Sequence, residues 1–137
     1  MEVSDGRHQV ILDEELPEGG DDLGPTPYEF LLTALGGCTA ITLLMYARRK
    51  EWAVEDVTVT LTQDKVDPGD HADAFSAEEI KAAGPTGRLD LITMKLLVKG
   101  DLEPEQMERL LQIASHCPVH RTLEARPKVT SEIVRVD

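Results

Sequence analysis

The chain has 137 residues, of which 41% are apolar, 29% charged and only 4% aromatic. That length accommodates one domain, residues 1–137, rather than two independent cores, and the apolar share excludes a disordered chain. Twenty-six acidic against fourteen basic side chains give a formal charge of -12, and no basic run tracks a phosphate backbone, which argues against nucleic acid and anionic membrane surfaces as partners.

The N-terminal residues carry no basic-then-apolar leader, and no unbroken apolar stretch reaches the roughly 20 residues that span a bilayer. A cytoplasmic protein is expected. There thiols are kept reduced, so two cysteines, Cys38 and Cys117, are expected to be free or catalytic rather than a structural staple.

Residues 7 to 12 (RHQVIL) form a short β-type run, and residues 18 to 24 (EGGDDLG) a turn-rich acidic loop. From Pro27 the pattern changes. Phe30, Leu31, Ala34, Leu35, Cys38, Ile41, Thr42 and Met45 recur at three- and four-residue spacing, the apolar stripe of a buried helix with proline in its first turn. Arg48, Arg49 and Lys50 suit the negative end of its dipole, and the helix is expected to stop near Glu51.

Val57, Val59 and Leu61 alternate with threonines as in a half-buried strand. Residues 64 to 87 read as a solvated acidic loop with one or two helical turns around Ala77 to Ala83. Leu89, Leu91, Met94, Leu96 and Val98 mark a second strand, broken in phase near Thr93 and closed by Gly100. Glu103-Pro104-Glu105 opens another helix whose stripe is Met107, Leu110, Leu111, Ala114 and Cys117. Pro118 ends it. Residues 119 to 125 form a short further helix, and Val129, Ile133, Val134 and Val136 a final strand. This order, strand, long helix, strand, strand, helix, strand, is an α+β arrangement, and packing the two helical stripes together would bring Cys38 and Cys117 close.

A single cysteine on an apolar stripe is more often a small buried hydrophobe than a nucleophile. Three features shift that balance. Gly36-Gly37 precede Cys38 inside a helix, where each costs about 1 kcal/mol relative to alanine, so something must approach the backbone closely. Cys117 precedes Pro118 and can cap the next helix, beside unpaired N–H groups that stabilise a thiolate. His116, His120 and Arg121 surround it in sequence as candidate cations. The alternative zinc reading (His116, Cys117, His120, Cys38 and His71) lacks any recognised ligand spacing, and the 64 to 79 acid run has no EF-hand pattern. Trp52 suits a core or dimer contact, and Tyr28 and Tyr46 suit either a pocket or packing.

The residues from Pro25 through Leu32 (PTPYEFLL), continuing through Ala34-Leu35-Gly36-Gly37-Cys38-Thr39-Ala40, together with Ser115-His116-Cys117-Pro118-Val119-His120, resemble the OsmC/Ohr family of osmotically inducible and organic-hydroperoxide-resistance proteins, in its branch with a PYE-type helix start. The resemblance runs from about residue 8 to the C-terminus. It implies an OsmC-like α+β fold with antiparallel sheets and two principal helices, and an intertwined homodimer with active sites at the subunit interface. It also implies hydroperoxide reduction without metal, flavin or other cofactor, and recycling by a dithiol, a dihydrolipoyl protein in the Ohr branch. By position Cys38 matches the peroxidatic and Cys117 the resolving cysteine. Family members place a glutamate ten residues before the reactive cysteine. Here that position is Tyr28 and the acid is Glu29, about 100° further round the helix. Arg7 is the one candidate before the first helix for the family arginine that pairs with the thiolate. The competing expectations are a non-catalytic dimer that binds a small apolar ligand around the cysteines, and two cysteines that merely fill the core.

Overall fold

The computed structural model describes residues 1–135 and contains two antiparallel two-stranded sheets and four α-helices. β1 (Glu2–Ser4) and β2 (Gln9–Ile11) form an N-terminal hairpin, so the short run expected at 7 to 12 is its second strand. Val3 and Ile11 are half exposed. A 3₁₀ turn, Leu16–Glu18, follows.

Helix α1, Pro27–Arg49, begins with Thr26 as its cap. The Thr26 hydroxyl accepts from the Glu29 N–H at 3.2 Å, and the Glu29 carboxylate accepts from the Thr26 N–H at 2.8 Å, a reciprocal box that satisfies two orphan donors. At the other end Glu51 adopts φ 57°, a left-handed conformation that cannot continue the helix.

The buried face of α1 is Leu35, Gly36, Thr39, Leu43 and Ala47, which corrects the stripe read from apolar residues. Phe30, Ile41 and Met45 point outward, Ile41 at 59% and Met45 at 65% exposure. The helix is apolar nearly all round, so residue type alone does not select the face that packs. It also contains an 18-residue window of mean hydropathy 1.8. By length and composition it therefore meets the span criterion that the search for unbroken apolar runs rejected, although it packs here against β3, α3 and α4.

β3 (Ala53–Val66) and β4 (Leu89–Asp101) form a long twisted ribbon whose ladder runs from Ala53↔Asp101 to Val66↔Leu89. Both strands exceed the expected spans. Pairing is continuous through Thr93; the inward phase shifts at Leu91–Ile92, and the register slips instead between Val54 and Asp56. Gly100 pairs at that slip with φ 153°, and a Cβ there would overlap the Ala53 carbonyl, so it permits the bulge rather than ending the strand. A second 3₁₀ turn, Pro68–His71, and helix α2, Ala77–Ala83, capped by Ser76 and Glu79, occupy the intervening loop.

Helix α3, Pro104–Ala114, buries Leu110, Ile113 and Ala114, whereas Met107 and Leu111 of the expected stripe face outward. These residues meet Leu43 and Val57 in the core. Helix α4 spans Pro118–Glu124. The final strand expected at Val129, Ile133 and Val134 does not form: these positions carry no regular structure and are 85%, 98% and 70% exposed. Val136 lies outside the described residues.

Candidate functional site

Cys38 lies in the middle of α1 and Cys117 in the junction between α3 and α4. The packing of α1 against α3 and α4 brings the two thiols close enough to perturb one another, and both are free. They differ in access: Cys38 is partly exposed, Cys117 is wholly buried.

The close approach expected of the glycine pair is made by one of the two. A Cβ on Gly36 would stand 2.7 Å from a methyl of Leu61, so this glycine lets α1 settle onto β3. Gly37 meets nothing within 4 Å and lines an open groove of about 730 Å³ with Glu29, Leu32 and Leu61.

The electrostatics of the pair are asymmetric. Burial, followed by the neighbouring Cys117 sulfur, pushes the Cys38 thiol up, against smaller opposing contributions from the Val119 N–H and from Thr42. Burial also works to raise Cys117. There, however, the neighbouring Cys38 thiol, the His120 N–H, the Thr39 hydroxyl and the Val119 N–H together outweigh it and hold the thiol below its ordinary range, although Cys117, at the cap position of α4, accepts no cap hydrogen bond from the helix backbone. Of the two, the buried sulfur has the surroundings that favour the thiolate. The Thr42 hydroxyl donates its proton to the Cys38 carbonyl at 2.8 Å.

Two threonines that sequence reasoning passed over belong to this site. Thr39 is completely buried, within 3.7 Å of the Met94 sulfur and beside Cys117. A polar side chain next to a cysteine on an apolar helix was the available signal. Conversely, His116 and Arg121 are exposed. Of the three cations expected around Cys117, His120 alone bears on it, through its backbone N–H.

Glu29 is exposed and engaged in the helix cap. Arg7 lies in the exposed hairpin turn, where its N–H donates to Asp5. Within one chain neither is among the groups acting on the two sulfurs. Among the described residues no three His, Cys, Asp or Glu side chains gather as a metal site, so the histidines named for zinc do not converge with the thiols.

A second cavity, of about 430 Å³, is lined by Leu35 of α1 and His120 of α4 but by neither cysteine. Leu31, Leu35, Phe75, Ile92 and Met94 give it an apolar floor, and His120 and Arg126 stand at its polar rim. Tyr28 lines it too, whereas Tyr46 packs on Trp52 and lies under the cations of Arg49, Lys50 and Arg109.

This combination, a long central helix laid on an antiparallel ribbon with two free thiols meeting where a second helix turns, defines a small α+β protein built around a cysteine pair. The OsmC-like protein family matches residues 19–132, and the chain belongs to that family. Among solved structures, an OsmC-like protein from Mycoplasma pneumoniae aligns with a TM-score of 0.63 at 18% identity, over 90% of this chain and 77% of that one. An organic hydroperoxide resistance protein OsmC from Legionella pneumophila aligns at 0.58 and 17% identity, over 88% and 77%. An OsmC-like protein of unknown function from Vibrio cholerae O1 biovar eltor aligns at 0.57 and 15% identity, over 88% and 75%. At these identities the likeness is one of fold. No curated protein matches the chain at a significant level.

Proposed function

We propose that this protein reduces organic or inorganic hydroperoxides by a redox cycle of Cys38 and Cys117. The observation that carries the reading is the contact of two free thiols from separate helices, one open to a solute and one sealed. Family membership and the hydroperoxide-resistance name of the Legionella structure support it.

Access and charge fall on opposite members of the pair, and the two together give an order of events. A hydroperoxide reaches Cys38 alone. As Cys38 attacks the terminal oxygen, its proton passes to the neighbouring Cys117 thiolate. The O–O bond breaks, Cys38 becomes a sulfenic acid, and the departing alkoxide takes up a proton. Cys117, now a thiol, condenses with the sulfenic acid; water leaves and a disulfide remains. A dithiol, such as a dihydrolipoyl protein, then restores both thiols.

The cycle is proposed to run in a cytoplasmic homodimer. The outward apolar face of α1 at Ile41 and Met45 and the unpaired 129–134 segment are the surfaces that a second copy would cover. In such an intertwined dimer the exposed hairpin with Arg7 would be the arm available to the partner's thiols, and Glu29 would border the site through the groove at Gly37.

A second reading, a non-catalytic dimer that holds a small apolar ligand, is favoured by the apolar floor of the 430 Å³ cavity. One experiment separates the two. Reduced protein is mixed with one equivalent of an organic hydroperoxide, and free thiols and intact mass are followed. Rapid loss of both thiols with a mass decrease of about two daltons is expected. Thiols that survive for hours would overturn the peroxidase reading in favour of ligand binding.

A further inference from the structure

Three cations crowd one phenol at the C-terminal end of α1. Arg49 stands 5.5 Å and Lys50 5.8 Å from the centre of the Tyr46 ring, and Arg109, reaching across from α3, stands 5.8 Å from it. Arg109 also donates through Nε to the Tyr46 hydroxyl at 3.1 Å and through Nη1 to Gln112 at 2.9 Å. The ring is braced edge-on by Trp52, at a centroid distance of 5.6 Å. All three cations are exposed. Glu51, Glu105 and Glu108 neighbour them in sequence, yet among the described residues none of the three forms an ion pair, whereas Lys65, Lys99 and Arg126 each do.

The helix dipole accounts for Arg49 and Lys50 at the end of α1. It does not account for Arg109, which belongs to α3 and is held by neutral acceptors where it adds like charge to the other two. In a chain of formal charge -12 the result is a fixed and uncompensated positive patch. Its position limits what it can do. Arg49 follows Cys38 by eleven residues, about three full turns, so both stand on one side of α1 about 16 Å apart. That is about twice the Debye length of ~8 Å at physiological ionic strength. The patch is therefore too far away to titrate the thiol, and near enough for one partner protein to touch both points.

We propose that Arg49, Lys50 and Arg109 form the docking site for the protein that re-reduces the cysteine pair, a partner that carries a short run of acidic side chains beside its dithiol. The inference rests on the peroxidase reading and names the partner that closes its cycle. Cys38 is the sulfur open to attack. A thiolate of the partner bonds to it, the Cys38–Cys117 bond breaks, and Cys117 leaves as a thiolate, the form its surroundings favour. The partner's second thiol then displaces Cys38 from the mixed disulfide. Two electrons and two protons pass from the dithiol, which becomes a disulfide, and Cys38 and Cys117 end as thiols. Nucleic acid and anionic membranes are extended polyanions that would also meet the acidic remainder of the surface, whereas a short acidic segment meets the patch alone.

The test places a dithiol on an acidic tether. Protein oxidised with one equivalent of tert-butyl hydroperoxide is mixed with a synthetic peptide in which a run of six glutamates is joined by about eight glycines, an extended reach of about 27 Å, to a reduced Cys-Gly-Gly-Cys end. A second peptide carries glutamines in place of the glutamates. Return of the two protein thiols is timed by quenching and intact mass. At low ionic strength the glutamate peptide is expected to reduce the wild-type protein about tenfold faster than the glutamine peptide, an advantage that disappears in high salt. The double variant Arg49→Gln, Lys50→Gln is expected to bring the two peptides within about twofold of each other, and Arg109→Gln carries the test if that variant does not fold. Uncharged dithiothreitol should reduce the wild-type protein and all variants alike. Equal rates with the two peptides in the wild-type protein, or a glutamate advantage that survives the substitutions, would overturn the inference while the peroxidase reading stands. A wild-type pair that the hydroperoxide does not oxidise would remove that reading and the docking role with it.

Discussion

Cys38 and Cys117 lie close enough across a helix boundary for each thiol to shift the other's titration, one partly open to solvent and one entirely enclosed. Around the enclosed sulfur the lowering contributions of the Cys38 thiol, His120, Thr39 and Val119 prevail, whereas at the open one burial and the Cys117 sulfur outweigh those of Val119 and Thr42.

Serine substitutions separate the two roles. Cys38→Ser is expected to abolish oxidation by hydroperoxide. Cys117→Ser is expected to allow one turnover and then to accumulate mass in steps of about 16 daltons as the unresolved sulfenic acid climbs to sulfinic. Intact-mass spectrometry checks both, and over-oxidation at Cys117 in the Cys38→Ser variant would reverse the assignment.

The pair also makes stability depend on pH in two opposing directions. Because Cys117 is held below its ordinary range, the unfolded chain binds more protons than the native one between the two values. Stability therefore rises with pH up to the ordinary thiol value of about 8.5. Cys38 is pushed up, so above that value the native state binds more protons and stability falls. Denaturation of reduced protein across this range should show a maximum near the ordinary thiol value, and Cys117→Ser should remove the rising limb.

Glu29 can be assigned by its amide. Glu29→Gln keeps an acceptor for the Thr26 N–H, so the capping box survives. The rate of Cys38 oxidation is expected to stay within a few-fold, while Thr26→Ala lowers stability by about 0.5–2 kcal/mol. A loss of roughly 10²-fold in the Gln variant would show that the carboxylate takes part in the chemistry.

Packing around the site rests on few large side chains. Leu43 and Leu110 are 0% and 1% exposed, and truncation of either to alanine is expected to cost about 2–5 kcal/mol. Gly36→Val should cost about 1–3 kcal/mol by forcing Leu61 away from α1. Urea unfolding midpoints measure all three.

Much of the fold was legible because its signals are local. Pro27 after Thr26, the residues around Ala77, and Glu103-Pro104 each carry their own helix-start chemistry, and the elements were found where those residues stand. Cys38 and Cys117 stood out for the same reason, since their glycine and proline neighbours are unusual in any helix. What only the tertiary structure decided depended on what each element packs against. An all-apolar α1 has no preferred face until β3 and α3 choose Leu35, Thr39 and Leu43, and Ile41 and Met45 then point out. The segment at Val129 to Val134 has strand-like residues but pairs with neither sheet of the chain and stays exposed, and pairing needs a partner as well as a pattern. The enclosure of Thr39 arises from residues distant in sequence, so no spacing along the chain records it.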